Sequence, residues 1–233
     1  MRQFADKDKL VLAGSGCEST AQTIALTVAM AQAGADAAVV VTPCYFKAKM
    51  KANELKFHYE AVASASPIPI VLYSVPANTG IDLPADIVKE LAAHPNIVGM
   101  KESGGDVAKI GRMVYETRNE DFQILAGSAS FLLPALHVGA VGGICALANA
   151  LPSECAQLQQ LYEAGRNEEA VALQHRLIAP NAAVTKDFGV PGLKAALEWF
   201  GYYGGPCRKP LLPLDNNELV KLKGSFADQG FKC

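Results

Sequence analysis

The chain repeats one pattern: a short apolar run that does not alternate with polar residues, a turn, and then a stretch with helical periodicity. The runs lie at 9–14 (KLVLAG), 37–42 (AAVVVT), 69–73 (PIVLY), 97–101 (IVGMK), 122–127 (FQILAG) and 142–146 (GGICA). They are rich in Val, Ile and Leu, as parallel strands covered on both faces are. Between them, 18–33, 52–65, 84–94, 106–117 and 131–138 read as amphipathic helices. Ser19 and Thr20, Asp82 ahead of Pro84, and Asp106 suit N-caps or first-turn acids, and Gly34 suits the position after a helix. From Pro152 the strands stop, and 152–164, 167–178, 192–200 and 216–223 read as successive helices.

Alternating β and α elements require a parallel sheet with right-handed crossovers. Two architectures fit: an open doubly wound sheet, or part of a (β/α)8 barrel. The expected organisation is about six βα units over 1–151, then the last barrel helix and a helical C-terminal region over 152–233.

Composition narrows the function classes. Half of the 233 residues are hydrophobic, enough for a sizeable core, which argues against disorder. A net charge of −2 gives no electrostatic case for nucleic acid. No apolar run reaches the ~18 residues of a membrane span. The six cysteines (Cys17, Cys44, Cys145, Cys155, Cys207, Cys233) form no C-x-x-C pair and have no zinc spacing with histidine. Their context reads as a reducing, intracellular, cytosol-like compartment. The histidines, His58, His94, His137 and His175, read as surface or helix-boundary residues.

In either architecture ligands meet the carboxyl ends of the strands. There the sequence places Thr42-Pro43-Cys44-Tyr45, Tyr73-Ser74-Val75-Pro76-Ala77-Asn78-Thr79-Gly80, Lys101-Glu102-Ser103-Gly104-Gly105-Asp106 and Gly127-Ser128. Lys101 closes the run Ile-Val-Gly-Met. Desolvation at an apolar mouth disfavours an ammonium, and a neutral amine can attack a ketone to form a Schiff base. The plainer alternative is a solvated lysine opening a polar loop. Tyr73 ends the preceding strand, where a phenol could relay protons to substrate oxygen, or could be a half-buried aromatic. Tyr45 has the same pair of readings. P-loop, G-x-S-x-G and H-E-x-x-H motifs are missing from the sequence, and Gly139, Gly142 and Gly143 precede rather than follow a strand. The chemistry left is amine catalysis, which calls for no metal and no cofactor.

At these residues the sequence resembles the dihydrodipicolinate synthase/N-acetylneuraminate lyase family of class I aldolases. The family pattern Y-x-x-P-x-x-T-G is matched by Tyr73, Pro76, Thr79 and Gly80, and G-x-K-[DE]-[ST]-[SG] by Gly99 to Gly104 around Lys101. The stretches LAGSGCEST, VVTPCY, VLYSVPANTG, NIVGMK, LAGSA, GAVGG and FGYYGGPCR resemble the mitochondrial branch that cleaves 4-hydroxy-2-oxoglutarate to pyruvate and glyoxylate. The resemblance implies a (β/α)8 TIM barrel with C-terminal helices, a small 2-oxo acid substrate and a homo-oligomer, usually a tetramer. It implies Lys101 as the Schiff-base residue, Tyr73 as the proton acceptor from the C4 hydroxyl, and Tyr45 as a relay near a neighbouring subunit. Ser103 and Gly127 match substrate-contacting positions. Asn78 stands where synthases of the family commonly carry an arginine for a second carboxylate, and an amide cannot supply that charged fork.

The family has two further βα units ahead of 9–14, with a G-[ST]-x-G-E loop for the substrate's α-carboxylate that this sequence does not contain. Without the helical tail about 150 residues remain, enough for about six units at roughly 25 each rather than eight. The expectation is therefore a barrel lacking its first two units, with unpaired edges at 9–14 and 142–146. Two rival readings accompany the aldolase. One is an inactive fragment or a non-catalytic subunit that assembles with full-length aldolase. The other is a different pyruvate-dependent reaction of the family, such as sialic acid cleavage or dihydrodipicolinate synthesis.

Overall fold

The structure is a computed structural model and describes residues 2–232. Met1 and Cys233, the sixth cysteine, lie outside the described residues. Two compact units are present: one runs up to Leu125 and includes Val138–Val141, and the other holds Ala126–His137 and the chain from Gly142 onward.

The first unit is built on β1 (Leu12–Gly14), β2 (Ala37–Val41), β3 (Ile70–Ser74), β4 (Ile97–Glu102) and most of β5 (Gln123–Ala126). Neighbours follow chain order, and the β1–β2, β2–β3 and β3–β4 pairs are parallel. The crossovers are α1 (Thr20–Gln32), α2 (Ala52–Ala65), the short α3 (Pro76–Thr79) with α4 (Ala85–Ala92), and α5 (Val107–Glu116). Apolar residues on both faces bury β3 and β4. Ile70, Leu72, Ile97 and Met100 are fully enclosed, together with Leu83 from the link between α3 and α4 and Leu91, Ile110 and Met113 from the helices. Each such side chain contributes about 1.5–3 kcal/mol of burial.

Local chemistry sets the element ends. The Ser19 hydroxyl accepts from Gln22 N at the start of α1, and Asp106 accepts from Lys109 N at the start of α5. Gly34 follows α1 at φ +89°, a left-handed turn that glycine adopts without a Cβ penalty. Pro84, not Asp82, occupies the N-cap of α4; Asp82 instead accepts from Ser74 Oγ. The turn expected after Tyr73 contains α3, with Pro76 in its first turn. β1 is shorter than the run 9–14 suggested. It pairs with β2, and its other edge carries no strand among the described residues. Leu10 and Leu12 are exposed there.

The second unit holds α6 (Leu132–His137), β6 (Gly142–Gly143), α7 (Pro152–Glu163), α8 (Asn167–Ala182), α9 (Gly189–Trp199) and α10 (Asn216–Ala227). Ile144 N donates to Ala126 O beside β6. The buried Gln174 of α8 accepts from Leu133 N and donates to the carbonyls of Ala129 and Ser130. The helix expected to stop at 178 continues past Pro180 and widens into a π-turn over Ala183–Asp187. Asp215 and Glu218 form a reciprocal capping box on α10.

His58 corrects the sequence expectation for histidines. It is 3% exposed, lies on the inner side of α2, and bonds Thr20 Oγ1 through Nδ1 at 2.9 Å. Cys155 is buried, and the other four described cysteines are partly accessible. Among the described residues no helix is long and apolar enough to cross a membrane.

Candidate active site

Tyr73 and Lys101 are direct partners in the β3–β4 register. Residues opposite one another on adjacent strands point to the same face, so the two side chains rise together at the carboxyl end of the sheet. Both are half-buried. The Lys101 Nζ stands 4.1 Å from the centroid of the Tyr73 ring, within the range of a cation–π contact. No carboxylate among the described residues pairs with this ammonium.

Gly99, two residues before Lys101 on the same face, owes its identity to close strand packing. A Cβ at that position would lie 2.6 Å from the Gln123 carbonyl oxygen of β5. The glycine of the G-x-K pattern thus lets β4 and β5 approach directly beneath the lysine.

The next register pair, Ser74 and Glu102, points to the opposite face and is fully buried. Ser74 Oγ donates to Asp82 and accepts from Leu83 N. Glu102 accepts from Gly104 N at 2.8 Å and Gly105 N at 3.1 Å. Lys109 pairs with Asp82 and reaches to 3.9 Å from Glu102. Burial pushes the Glu102 carboxyl above its usual range, while the two glycine N–H groups and Lys109 act in the opposite sense.

Ser103 follows Glu102. Its N–H donates to Ser74 O, and its hydroxyl is buried with no partner among the described residues. Thr42, just beyond β2, has a similarly buried and unpartnered hydroxyl. Buried hydroxyls normally find partners, and neither of these has one among the described residues.

Tyr45 is placed differently. It is 77% exposed, and its ring meets Phe46 edge-on. Among the described residues no hydrogen bond or ring contact joins it to Tyr73 or Lys101. Its backbone N–H, with that of Cys44, binds the Glu18 carboxylate. Those bonds, Tyr45 first, hold the Glu18 carboxyl below its usual range. Gly127 follows β5 in the second unit, and there Ser128 Oγ accepts from Asn181 Nδ2 at 2.9 Å.

A cavity of about 420 Å³ in the first unit is lined by Glu18, Thr20, Asn53, Glu54, Phe57 and His58 rather than by Lys101 or Tyr73. Among the described residues no three His, Cys, Asp or Glu side chains gather as metal ligands. Sequence reasoning weighted Lys101 and Tyr73 and passed over the Glu102–Lys109–Asp82 cluster. Its only signal was an acid directly after the lysine.

A lysine and a tyrosine thus stand side by side at the carboxyl end of a parallel α/β sheet, and the family match makes the chain an enzyme of the class I aldolase type, a lyase. The chain belongs to the dihydrodipicolinate synthetase family, whose model matches residues 1–228. It is 38% identical over 220 residues to a 4-hydroxy-tetrahydrodipicolinate synthase of Methanoculleus marisnigri, covering 94% of this chain and 75% of that protein. It is 36% identical over 219 residues to a probable mitochondrial 4-hydroxy-2-oxoglutarate aldolase of Emericella nidulans, covering 94% and 70%. Among solved structures, dihydrodipicolinate synthase DapA-2 from Bacillus anthracis matches with a TM-score of 0.90 at 31% identity, over 95% of this chain and 75% of that one. The fold is thus an α/β arrangement of the TIM-barrel type that this family uses.

Proposed function

We propose that the chain is a Schiff-base aldolase acting on 4-hydroxy-2-oxoglutarate, with Lys101 as the nucleophile and Tyr73 as the proton acceptor. The observation that carries this reading is the Lys101 amine, without a carboxylate partner among the described residues, beside Tyr73 on the paired strand. The amine attacks the C2 ketone, and water leaves as the imine forms. Tyr73 takes the C4 hydroxyl proton while the C3–C4 bond breaks. Glyoxylate departs, the electrons of the broken bond enter the protonated imine, and an enamine of pyruvate remains. Protonation at C3 and hydrolysis release pyruvate and restore the amine. Ser103 and Gly127 contact the substrate in this reading, and Tyr45 acts from the neighbouring subunit of a homo-oligomer. That subunit role accords with its exposure. The six strands are the counterparts of six of the eight in a complete barrel, and a mitochondrial location accompanies the aldolase assignment.

Dihydrodipicolinate synthesis is the second reading, supported by the names of relatives such as the Methanoculleus marisnigri protein. Asn78, exposed on α3, favours the aldolase because it brings no charge to a second carboxylate. Incubating the chain with 4-hydroxy-2-oxoglutarate and measuring pyruvate and glyoxylate tests the choice. Equimolar release of both supports the aldolase. No cleavage, with condensation when pyruvate and aspartate semialdehyde are supplied in place of 4-hydroxy-2-oxoglutarate, overturns it.

A further inference from the structure

Glu102 is a fully buried acid one residue from the proposed nucleophile, and the imine chemistry above gives it no task. The turn that closes β4 is folded around its carboxylate. One oxygen takes Gly104 N–H at 2.8 Å and the other takes Gly105 N–H at 3.1 Å. Gly105 has φ +82°, and a Cβ on Gly104 would lie 2.6 Å from Glu102 Oε1. Both positions therefore require glycine while the carboxylate stays in place. Lys109 joins this acid to Asp82, which accepts from Ser74 Oγ. The segment after Lys101 and the segment after Tyr73 are thus fastened to one charge cluster behind the sheet.

Ser103 lies between the lysine and the glycine turn. Its N–H is committed to Ser74 O, while its buried hydroxyl has no partner among the described residues. The carboxylate accepts both glycine N–H groups of the turn, so the hydroxyl is not spent on them.

We propose that Glu102 is a positioning residue: by holding the N–H groups of Gly104 and Gly105 it sets Ser103 so that its hydroxyl is left for the 2-oxo acid bound at Lys101. This rests on the Schiff-base reading above. A carboxylate is suited to the task because it can accept from both glycines at once. An amide of the same shape accepts through one atom and turns a donor toward the second N–H.

The experiment is borohydride trapping of pyruvate on the full chain, with labelling at Lys101 quantified against pyruvate concentration. Glu102→Gln is expected to raise the half-maximal pyruvate concentration by about tenfold to a hundredfold, as loss of a charge-assisted hydrogen bond does. The maximal labelling rate should change less. In a Ser103→Ala background the same change should add no more than about twofold, because coupled residues are non-additive. Glu102→Asp, which keeps the charge, should lie between Glu and Gln. A lower melting temperature with unchanged concentration dependence would mark a purely structural role and overturn the proposal. Equal penalties with and without Ser103 would also overturn it. If Glu102→Gln does not fold, Glu102→Asp carries the same comparison. A wild-type chain that gives no adduct sinks the Schiff-base reading and this role with it. A labelled wild type with an indistinguishable variant sinks this role alone.

Discussion

The ammonium of Lys101 lies 4.1 Å from the centroid of the Tyr73 ring, one inter-strand step away. The contact holds the amine over an electron-rich face and next to the phenol proposed to move its substrate's proton. Lys101→Arg keeps a cation over that ring but removes the nucleophile. It is expected to abolish borohydride-dependent labelling by pyruvate and to lower aldol cleavage by about 10³-fold or more. Labelling that persists at another lysine would reject Lys101 as the imine residue.

Tyr73→Phe separates imine formation from bond cleavage. The ring remains under Lys101, so the pyruvate adduct should still form. Turnover should fall by about 10²- to 10⁴-fold, the usual worth of a positioned proton acceptor. Single-turnover cleavage compared with trapping makes the distinction, and equal losses in both would count against the assigned role.

Gly99 tests whether close strand approach under the site is a packing requirement. Its added Cβ would meet backbone, the Gln123 carbonyl, at 2.6 Å, and a strand cannot move aside as a flexible side chain can. Gly99→Ala should destabilise the chain by about 1–3 kcal/mol, as overpacking does. Urea unfolding measures it, and a midpoint equal to wild type would show that β4 and β5 separate at little cost.

His58 makes stability fall on the acid side of neutrality. Burial lowers its pKa below the usual value, with Glu18 pulling weakly the other way. Above about pH 6.5 neither the folded nor the unfolded chain protonates it, and its contribution is complete. As pH falls below that value the unfolded chain takes up the proton first, so stability drops until the folded pKa is passed. Urea midpoints between pH 7.5 and about 5 should fall more steeply for wild type than for His58→Gln. Parallel curves would show that this ring does not set the slope.

Much of the fold was legible because its signals are local. Non-alternating runs such as AAVVV and IVLYS mark strands covered on both faces, and Ser19 and Asp106 cap the helices they precede. Reading the strand ends for chemistry found Lys101 and Tyr73. Their register could not be read, because strand pairing is set by contacts distant in sequence. Glu102 was passed over because a polar residue after a strand looks solvated, whereas the two-residue period turns it inward beneath its own loop. His58 misled for a related reason. Helical spacing put it on a boundary, and only the packing of α1 against α2 gives Thr20 to its ring and closes water off.

The pairing of residues 73 and 101 has a consequence for how such a site endures. Its two reactive groups are separated by the pitch of a hydrogen-bonded sheet, about 4.8 Å between backbones, rather than by the conformation of any loop. The loops after β3 and β4 can change in sequence and length, and so redraw what binds, without altering the distance between amine and phenol. The sheet keeps the chemistry constant, and selectivity is left to parts of the chain that evolve separately.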